Sequence, residues 1–189
     1  MAKIIYIDVE TTGRDPDLCA IVQLGAIVEI NGKEQERINM DIAPFPGATI
    51  DDKALEVIGK TREQIAQHEA QRTQYLKFVK ILEKHVDRYN KADKFIFVGY
   101  NATFDDQFLR SFFKMNGNNY YGSYFHWPPV DVAVLGCVFY IEARGKMPNF
   151  KLETVAKRAK LEIKEDAFHD AFYDIELTKK LYKMFTQNI

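Results

Sequence analysis

The chain has 189 residues, of which 47% are hydrophobic and 28% are charged, and its formal net charge is −1. This composition is typical of one globular domain, predicted to span residues 1–189, and no run of eighteen apolar residues exists that could form a transmembrane helix. The near-neutral charge argues against a protein that holds a long duplex by its phosphates, although bound cations could supply positive charge for shorter contacts.

The hydrophobic pattern predicts strands first and then an alternation of strand and helices. Runs of β-branched and aromatic residues predict strands at residues 3–9, 22–30, 37–42 and 95–98. The turn Asn31-Gly32 is a strong hairpin signal, so we expect an antiparallel meander at the start. Helical spacing or capping signals predict helices at residues 51–58, from the capping box Thr61-x-x-Gln64 onward, and at 71–89, 103–115, 131–144, 151–160 and 170–185.

The N-terminus and the cysteines favour a cytoplasmic location. A short apolar strand follows Met1, Ala2 and Lys3 directly, without the long apolar stretch and cleavage site of a secretory signal. Cys19 and Cys137 lie far apart and lack metal-binding spacing, so we interpret them as thiols in a reducing compartment.

Asp8 and Glu10 are two carboxylates at the end of the first predicted strand. Side chains alternate along a strand, so both point the same way. They repel each other unless a cation neutralises them, and their hard oxygen atoms suit Mg²⁺ or Mn²⁺. The alternative is a solvated strand end. Thr11, Thr12 and Gly13 follow, and could either hold a sugar or phosphate or form a simple turn that glycine permits.

Two further segments place acids near predicted helix starts. Asn101 precedes one helix and Asp105 falls in its first turn, where the helix dipole alone favours an acid. His169 precedes the last helix and Asp174 lies about one turn inside it. The functional hypothesis is that both segments join the first two carboxylates. The alternatives are an acid that only stabilises its helix and a histidine with a packing role.

In this order and spacing, the residues resemble the three motifs of the DEDDh exonucleases. IDVETTG looks like the first motif, VGYNATFDDQFL like the second and HDAFYD like the third. VQLGAIVEI resembles the family's second strand, and ALEVIGKTREQI resembles the segment that lies over the terminal nucleotide. The family includes the proofreading subunit of bacterial replicative DNA polymerase, ribonuclease T and oligoribonuclease. The likeness covers nearly the whole chain, from about residue 3 to 184.

The resemblance implies a ribonuclease-H-like α/β fold, with a five-stranded mixed sheet and helices on both faces. It implies two divalent cations, Mg²⁺ or Mn²⁺, held by Asp8, Glu10, Asp105 and Asp174, with His169 as general base. Two cations roughly 3.5–4 Å apart suit an in-line displacement, and imidazole exchanges protons near neutral pH. The residues expected to contact the terminal nucleotide are Thr11, Thr12, Gly13, Val57, Asn101 and Phe104.

The implied activity is 3′–5′ hydrolysis of single-stranded DNA or RNA to nucleoside 5′-monophosphates. The expected partners are a single-stranded 3′ end and a DNA polymerase subunit. The residues Thr11, Thr12 and Gly13 favour the proofreading type of this family over oligoribonuclease. The alternatives are an exoribonuclease of the ribonuclease T or oligoribonuclease type, a small-nucleotide phosphohydrolase, and a non-catalytic nucleic-acid-binding domain of the same fold.

The sequence departs from the family pattern in two places. Ile58 stands where members often carry histidine, which puts one nucleotide contact in doubt. The proofreading subunit continues into a polymerase-binding tail, whereas this sequence ends at Ile189. We therefore expect a stand-alone enzyme, a shortened chain or a different mode of docking.

Residues 120–127 and 142–164 are open to more than one interpretation. The first segment is aromatic and could be a base-stacking platform, a self-association patch or a packed surface loop. The second has seven basic residues against three acids and could steer substrate or form a solvated helix face.

Overall fold

The computed structural model of the chain describes residues 2–164 and 169–187. Five strands form one mixed sheet in the order β3-β2-β1-β4-β5. Their bounds are β1 (Lys3–Thr11), β2 (Ile21–Ile30), β3 (Lys33–Asp41), β4 (Ile96–Gly99) and β5 (Val130–Asp131). The first three strands pair antiparallel, whereas β4 is parallel to β1 and β5 is parallel to β4. The predicted five-stranded mixed sheet is confirmed.

The β2–β3 hairpin turns where the sequence predicts it. Asn31 and Gly32 have φ angles of 51° and 76°, the left-handed region that a two-residue hairpin turn requires. Because this tight turn continues the pairing directly, β3 begins at Lys33, four residues before the predicted start.

Helices cover both faces of the sheet. They are α1 (Asp52–Val57), α2 (Arg62–Ala66), α3 (Gln71–His85), α4 (Ala102–Met115), α5 (Val132–Phe139), α6 (Leu152–Arg158) and α7 (Ala171–Thr186). Residues of α3 and α4 share one hydrophobic cluster with Ile5, Ile7 and Val9 of β1. Residues of α5, α6 and α7 share another cluster with Tyr6 on the opposite face. Since side chains alternate along a strand, Asp8 and Glu10 lie on the α7 face.

Three predicted elements differ from the observed ones. The strand β5 was not predicted, because two residues carry no periodic signal. Helix α3 ends at His85, since buried Val86 has an extended backbone. Helix α5 ends at Phe139, whose ring packs 4.8 Å from that of Phe185, and a 3₁₀ helix follows at Ile141–Lys146.

The aromatic segment 120–127 packs mainly into the core. Tyr121, Tyr124 and Phe125 are buried, whereas Tyr120 and Trp127 are exposed. The interpretation as a packed loop therefore holds for the three buried rings. No helix in residues 2–164 and 169–187 is long and apolar enough to cross a membrane.

Candidate active site

The candidate site begins where β4 separates from β1. The two strands pair only as far as Tyr6 and Val98, and beyond that point β1 has no strand neighbour on this side. Asp105 replaces a strand neighbour here: its carboxylate accepts the backbone N–H of Val9 at 3.0 Å. The side chain of Asp105 is buried, so the first turn of α4 is fixed directly beside Asp8 and Glu10.

The start of α4 is held from the other side by β5. Asn101 has a left-handed backbone, with φ 59° and ψ 42°, and its N–H donates to the Asp131 carboxylate at 3.0 Å. Its exposed side chain makes no capping hydrogen bond with the helix. Asn101 therefore lies exposed at the start of the helix that carries Asp105, and its contact with a nucleotide stays a prediction.

Gly25 allows α7 to reach the site. It pairs with Asp8 across β1 and β2, and a side chain there would begin 2.6 Å from the carbonyl carbon and oxygen of Ala171. The start of α7 thus lies directly on the sheet, and Asp174 is buried one turn further along. Sequence reasoning missed this role, although a glycine inside a strand pattern is a known signal of close backbone approach.

Asp170 is an acid beside the site, and its side chain caps helix α7. It caps α7 by accepting the N–H groups of Phe172 at 3.1 Å and Tyr173 at 2.9 Å. Its second oxygen accepts from the buried amide of Gln23 at 3.0 Å. Gln23 is the cross-strand neighbour of Glu10, so this contact fixes the start of α7 against β2.

His169, Glu10 and Asp174 converge on one point. Each offers a ligand atom within 4.8 Å of the others, an arrangement that can hold a metal ion. His169 has φ 67°, and its N–H donates to Asp174 Oδ2 at 3.3 Å. The other oxygen, Oδ1, is buried without a hydrogen-bond partner in the described part of the chain. An unpartnered carboxylate oxygen facing this group fits a cation.

The four carboxylates interact electrostatically. Burial, together with the charges of neighbouring acids, raises the pKa of Asp8 well above its usual range and that of Glu10 to about 9. Burial and the charge of Asp8 also raise the pKa of Asp105 far above normal. Burial raises the pKa of Asp174 to about 7. Crowded acids at this density favour either protonation or a bound cation.

These shifts predict how metal-free protein responds to pH. A carboxyl group whose pKa is raised on folding binds more protons when folded, so its stabilising effect declines as pH rises through that pKa. We expect the Tm of EDTA-treated protein to fall as pH rises from about 4, where carboxyl groups of the unfolded chain titrate, to about 9, the raised pKa of Glu10, with Asp174 contributing up to about pH 7. Mg²⁺ or Mn²⁺ should raise the Tm most at the alkaline end. A metal-free Tm that climbs over this range would contradict the shifts.

The segment after Glu10 is more structural than predicted. The Thr12 hydroxyl is fully buried, donates to the Thr49 carbonyl at 2.7 Å and accepts the N–H of Ala20 at 2.8 Å. A side chain on Gly13 would begin 2.6 Å from Cys19 Sγ, so close packing against Cys19, and not the turn, favours glycine here. The Thr11 hydroxyl donates to the Gly13 carbonyl at 2.6 Å.

The other predicted contact residues, Val57 and Phe104, lie on different elements. Val57 is exposed at the end of α1 and lines a cleft together with Ile58 and His169. Phe104 is half-buried, with its ring 4.8 Å from that of Phe108. Val57 is therefore an exposed apolar side chain in the cleft beside His169, and Phe104 is a partly exposed ring next to Asp105 in the chain.

A carboxylate and histidine cluster at the end of the first strand of a mixed sheet can hold divalent cations of the kind that hydrolases of phosphodiester bonds use. A family model described as Exonuclease (RNase_T) matches residues 5–182. The chain belongs to this exonuclease family. The predicted resemblance to DEDDh exonucleases and the predicted nuclease class are thereby confirmed.

Individual relatives agree with this assignment. Ribonuclease T of Buchnera aphidicola is 27% identical, over 94% of this chain and 81% of the relative. The PolC-type DNA polymerase III of Thermotoga petrophila is 25% identical over 98% of this chain, which spans only 12% of that protein. The zinc-bound form of the E. coli Exonuclease I complex with single-stranded DNA superposes with a TM-score of 0.78 and 22% identity. It is matched over 100% of this chain and 42% of that chain, and confirms the ribonuclease-H-like fold.

Proposed function

We propose that the chain is a 3′–5′ exonuclease that removes nucleoside 5′-monophosphates from single-stranded nucleic acid. The observation that carries the proposal is the convergence of Glu10, His169 and Asp174 within 4.8 Å beside Asp8 and Asp105. Support for a single-stranded substrate comes from the related Exonuclease I, which was solved with single-stranded DNA.

In this proposal the four acids hold two divalent cations, Mg²⁺ or Mn²⁺. Such cations, when bound, lower the pKa of a water molecule and neutralise charge at the phosphate. Asp8, Glu10 and Asp174 approach from the α7 face of the sheet, and Asp105 approaches from α4. The buried Asp174 Oδ1, which lacks a hydrogen-bond partner in the described residues, supports the assignment as a ligand.

His169 is proposed to accept the proton of the attacking water at an imidazole nitrogen. The residue is exposed, so a proton taken from the site can pass on to solvent. Its backbone N–H is held by Asp174, which keeps the imidazole beside the ligand set. A carboxylate is a poorer base here, because its oxygens are committed to cations.

The terminal nucleotide is proposed to lie between Val57 and Phe104, with Asn101 at the rim. The backbone of Thr11 to Gly13 is proposed to contact the same nucleotide. Of the predicted contacts, the Thr12 hydroxyl is already occupied by two hydrogen bonds, so any contact from Thr12 is assigned to its backbone. Ribonuclease T and PolC-type relatives support RNA and DNA respectively as alternative polymers, and association with a polymerase is part of the proposal.

The test uses oligonucleotides of DNA and of RNA, each labelled at the 5′ end. Incubation with Mg²⁺ or Mn²⁺ should produce a ladder that shortens from the 3′ end, and EDTA should abolish it. The faster polymer identifies the preferred substrate. A mononucleotide substrate serves as the control for phosphohydrolase activity. Hydrolysis of the mononucleotide without shortening of either polymer would replace this proposal by the small-nucleotide alternative.

A further inference from the structure

A polar cleft of about 760 Å³ adjoins the candidate active site. His169 and Asp170 form one wall, and the connection between α1 and α2 forms the other. Lys60 stands in the second wall with its side chain 22% exposed. His169 and Asp170, which adjoin the carboxylate cluster, therefore face the same space as Lys60.

Lys60 lies above a row of polar side chains that crosses three strands. Glu10 pairs with Gln23, and Gln23 pairs with Asp41, so the three residues share the α7 face of the sheet. The Lys60 Nζ lies 3.2 Å from Asp41 Oδ1. Burial and the neighbouring acids raise the pKa of Glu10, whereas the positive charge of Lys60 acts in the opposite direction. Lys60 is thus close to both ends of the row.

The balance between the acids, the cations and the substrate phosphate favours a positive side chain beside the site. Asp8, Glu10, Asp105, Asp174 and Asp170 together carry one negative charge more than two divalent cations can neutralise. A phosphate arriving with the substrate adds another negative charge at short range. An ammonium group at the edge of the site offsets this repulsion and can donate charge-assisted hydrogen bonds to phosphate oxygens.

The ion pair between Lys60 and Asp41 is easily exchanged for another partner. Asp41 has a side chain that is 55% exposed, so water and salt screen this ion pair. A phosphate group that enters the cleft can accept charge-assisted hydrogen bonds from the ammonium group and so compete with this solvated carboxylate. Moving from Asp41 to the cleft requires only side-chain rotation of a flexible lysine.

We propose that Lys60 binds a phosphate group of the 3′-terminal nucleotide and gives up Asp41 when the substrate enters. The proposal rests on the exonuclease function proposed above. The phosphate has two possible sources with the same chemistry: the scissile group on the 5′ side of that nucleotide, or a terminal phosphate on its 3′ oxygen.

The test compares four proteins on two substrates. Lys60→Met removes the charge, Lys60→Arg keeps it, and Lys80→Met makes the same change in net charge at an exposed lysine of α3. The substrates are 5′-labelled oligonucleotides of one sequence that end in a 3′-hydroxyl or a 3′-phosphate. Thermal melting establishes that each variant is folded.

We expect Lys60→Met to raise KM about tenfold, because one hydrogen bond to a charged group is lost. The change in kcat should be smaller. Lys60→Arg should recover most of the affinity, and Lys80→Met should resemble the wild type. A higher KM on both substrates assigns the contact to the scissile phosphate. A higher KM only on the substrate with a 3′-phosphate assigns it to the terminal phosphate. Unchanged KM on both substrates overturns the proposal.

Asp41→Asn separates substrate binding from a structural ion pair. It frees Lys60 from its present partner, so KM should stay the same or fall. If Asp41→Asn raises KM as much as Lys60→Met does, the ion pair between Lys60 and Asp41 itself maintains the shape of the cleft. That result would overturn the proposal. Failure of the exonuclease function is distinguishable, because the wild-type protein would then shorten neither substrate.

Discussion

Asp8→Asn is expected to reduce metal-dependent hydrolysis by about 10²-fold or more, while leaving the metal-free protein as stable as the wild type or more stable. Residues that only orient a metal ligand typically cost 10–100-fold in metal affinity or activity, so loss of a direct ligand should reach about the upper end or beyond. The stability gain follows because burial and the charges of Asp174 and Asp170 disfavour the ionised Asp8 carboxylate, and an amide carries no charge there.

The measurements for this variant are the initial rate on a labelled oligonucleotide and the Tm with EDTA or Mn²⁺. The wild type should melt at a higher temperature in Mn²⁺, and the variant should lose most of this shift. Asp52→Asn is the matched control, because Asp52 is an exposed acid of α1 that pairs with Arg62. Wild-type hydrolysis by Asp8→Asn would remove Asp8 from the ligand set.

His169→Ala should slow turnover by about 10²–10⁴-fold, the usual contribution of a general base. Metal binding should be largely retained, because the proposed ligands are the four carboxylates. The backbone N–H of residue 169 still donates to Asp174 after the substitution, so the start of α7 keeps its hydrogen bond. The quantities to measure are kcat and the Mn²⁺-induced rise in Tm.

The second readout is necessary because His169 lies close enough to Glu10 and Asp174 to be a metal ligand itself. A variant that loses turnover and the Mn²⁺ shift together would move His169 from base to ligand. His126→Ala is the matched control, since His126 is exposed and lies outside the carboxylate cluster. Unchanged turnover in His169→Ala would exclude the residue from the chemistry altogether.

The assays above test the roles of the site residues, the identity of the cations and the choice between DNA and RNA. The exonuclease family and the ribonuclease-H-like fold are established by the match over residues 5–182 and by the superposition on Exonuclease I.

Local chemistry was sufficient to predict several local features of the fold, including the shared face of two candidate site residues. The strand period placed Asp8 and Glu10 on one face, and the hairpin turn at Asn31-Gly32 formed as predicted. The capping box of Thr61 and Gln64 is present with both of its reciprocal hydrogen bonds. These features depend on residues within a few positions of one another, which is why sequence alone determines them.

Contacts between distant segments were decided only by the tertiary structure. The approach of α7 to Gly25, the hydrogen bond from Gln23 to Asp170 and the place of Lys60 beside the cleft each join segments far apart in the chain. The burial of the Thr12 hydroxyl depends likewise on Thr49. Periodicity and turn signals report which face a residue occupies, but not which remote backbone or side chain packs against it, because that depends on how all the elements fill the core together.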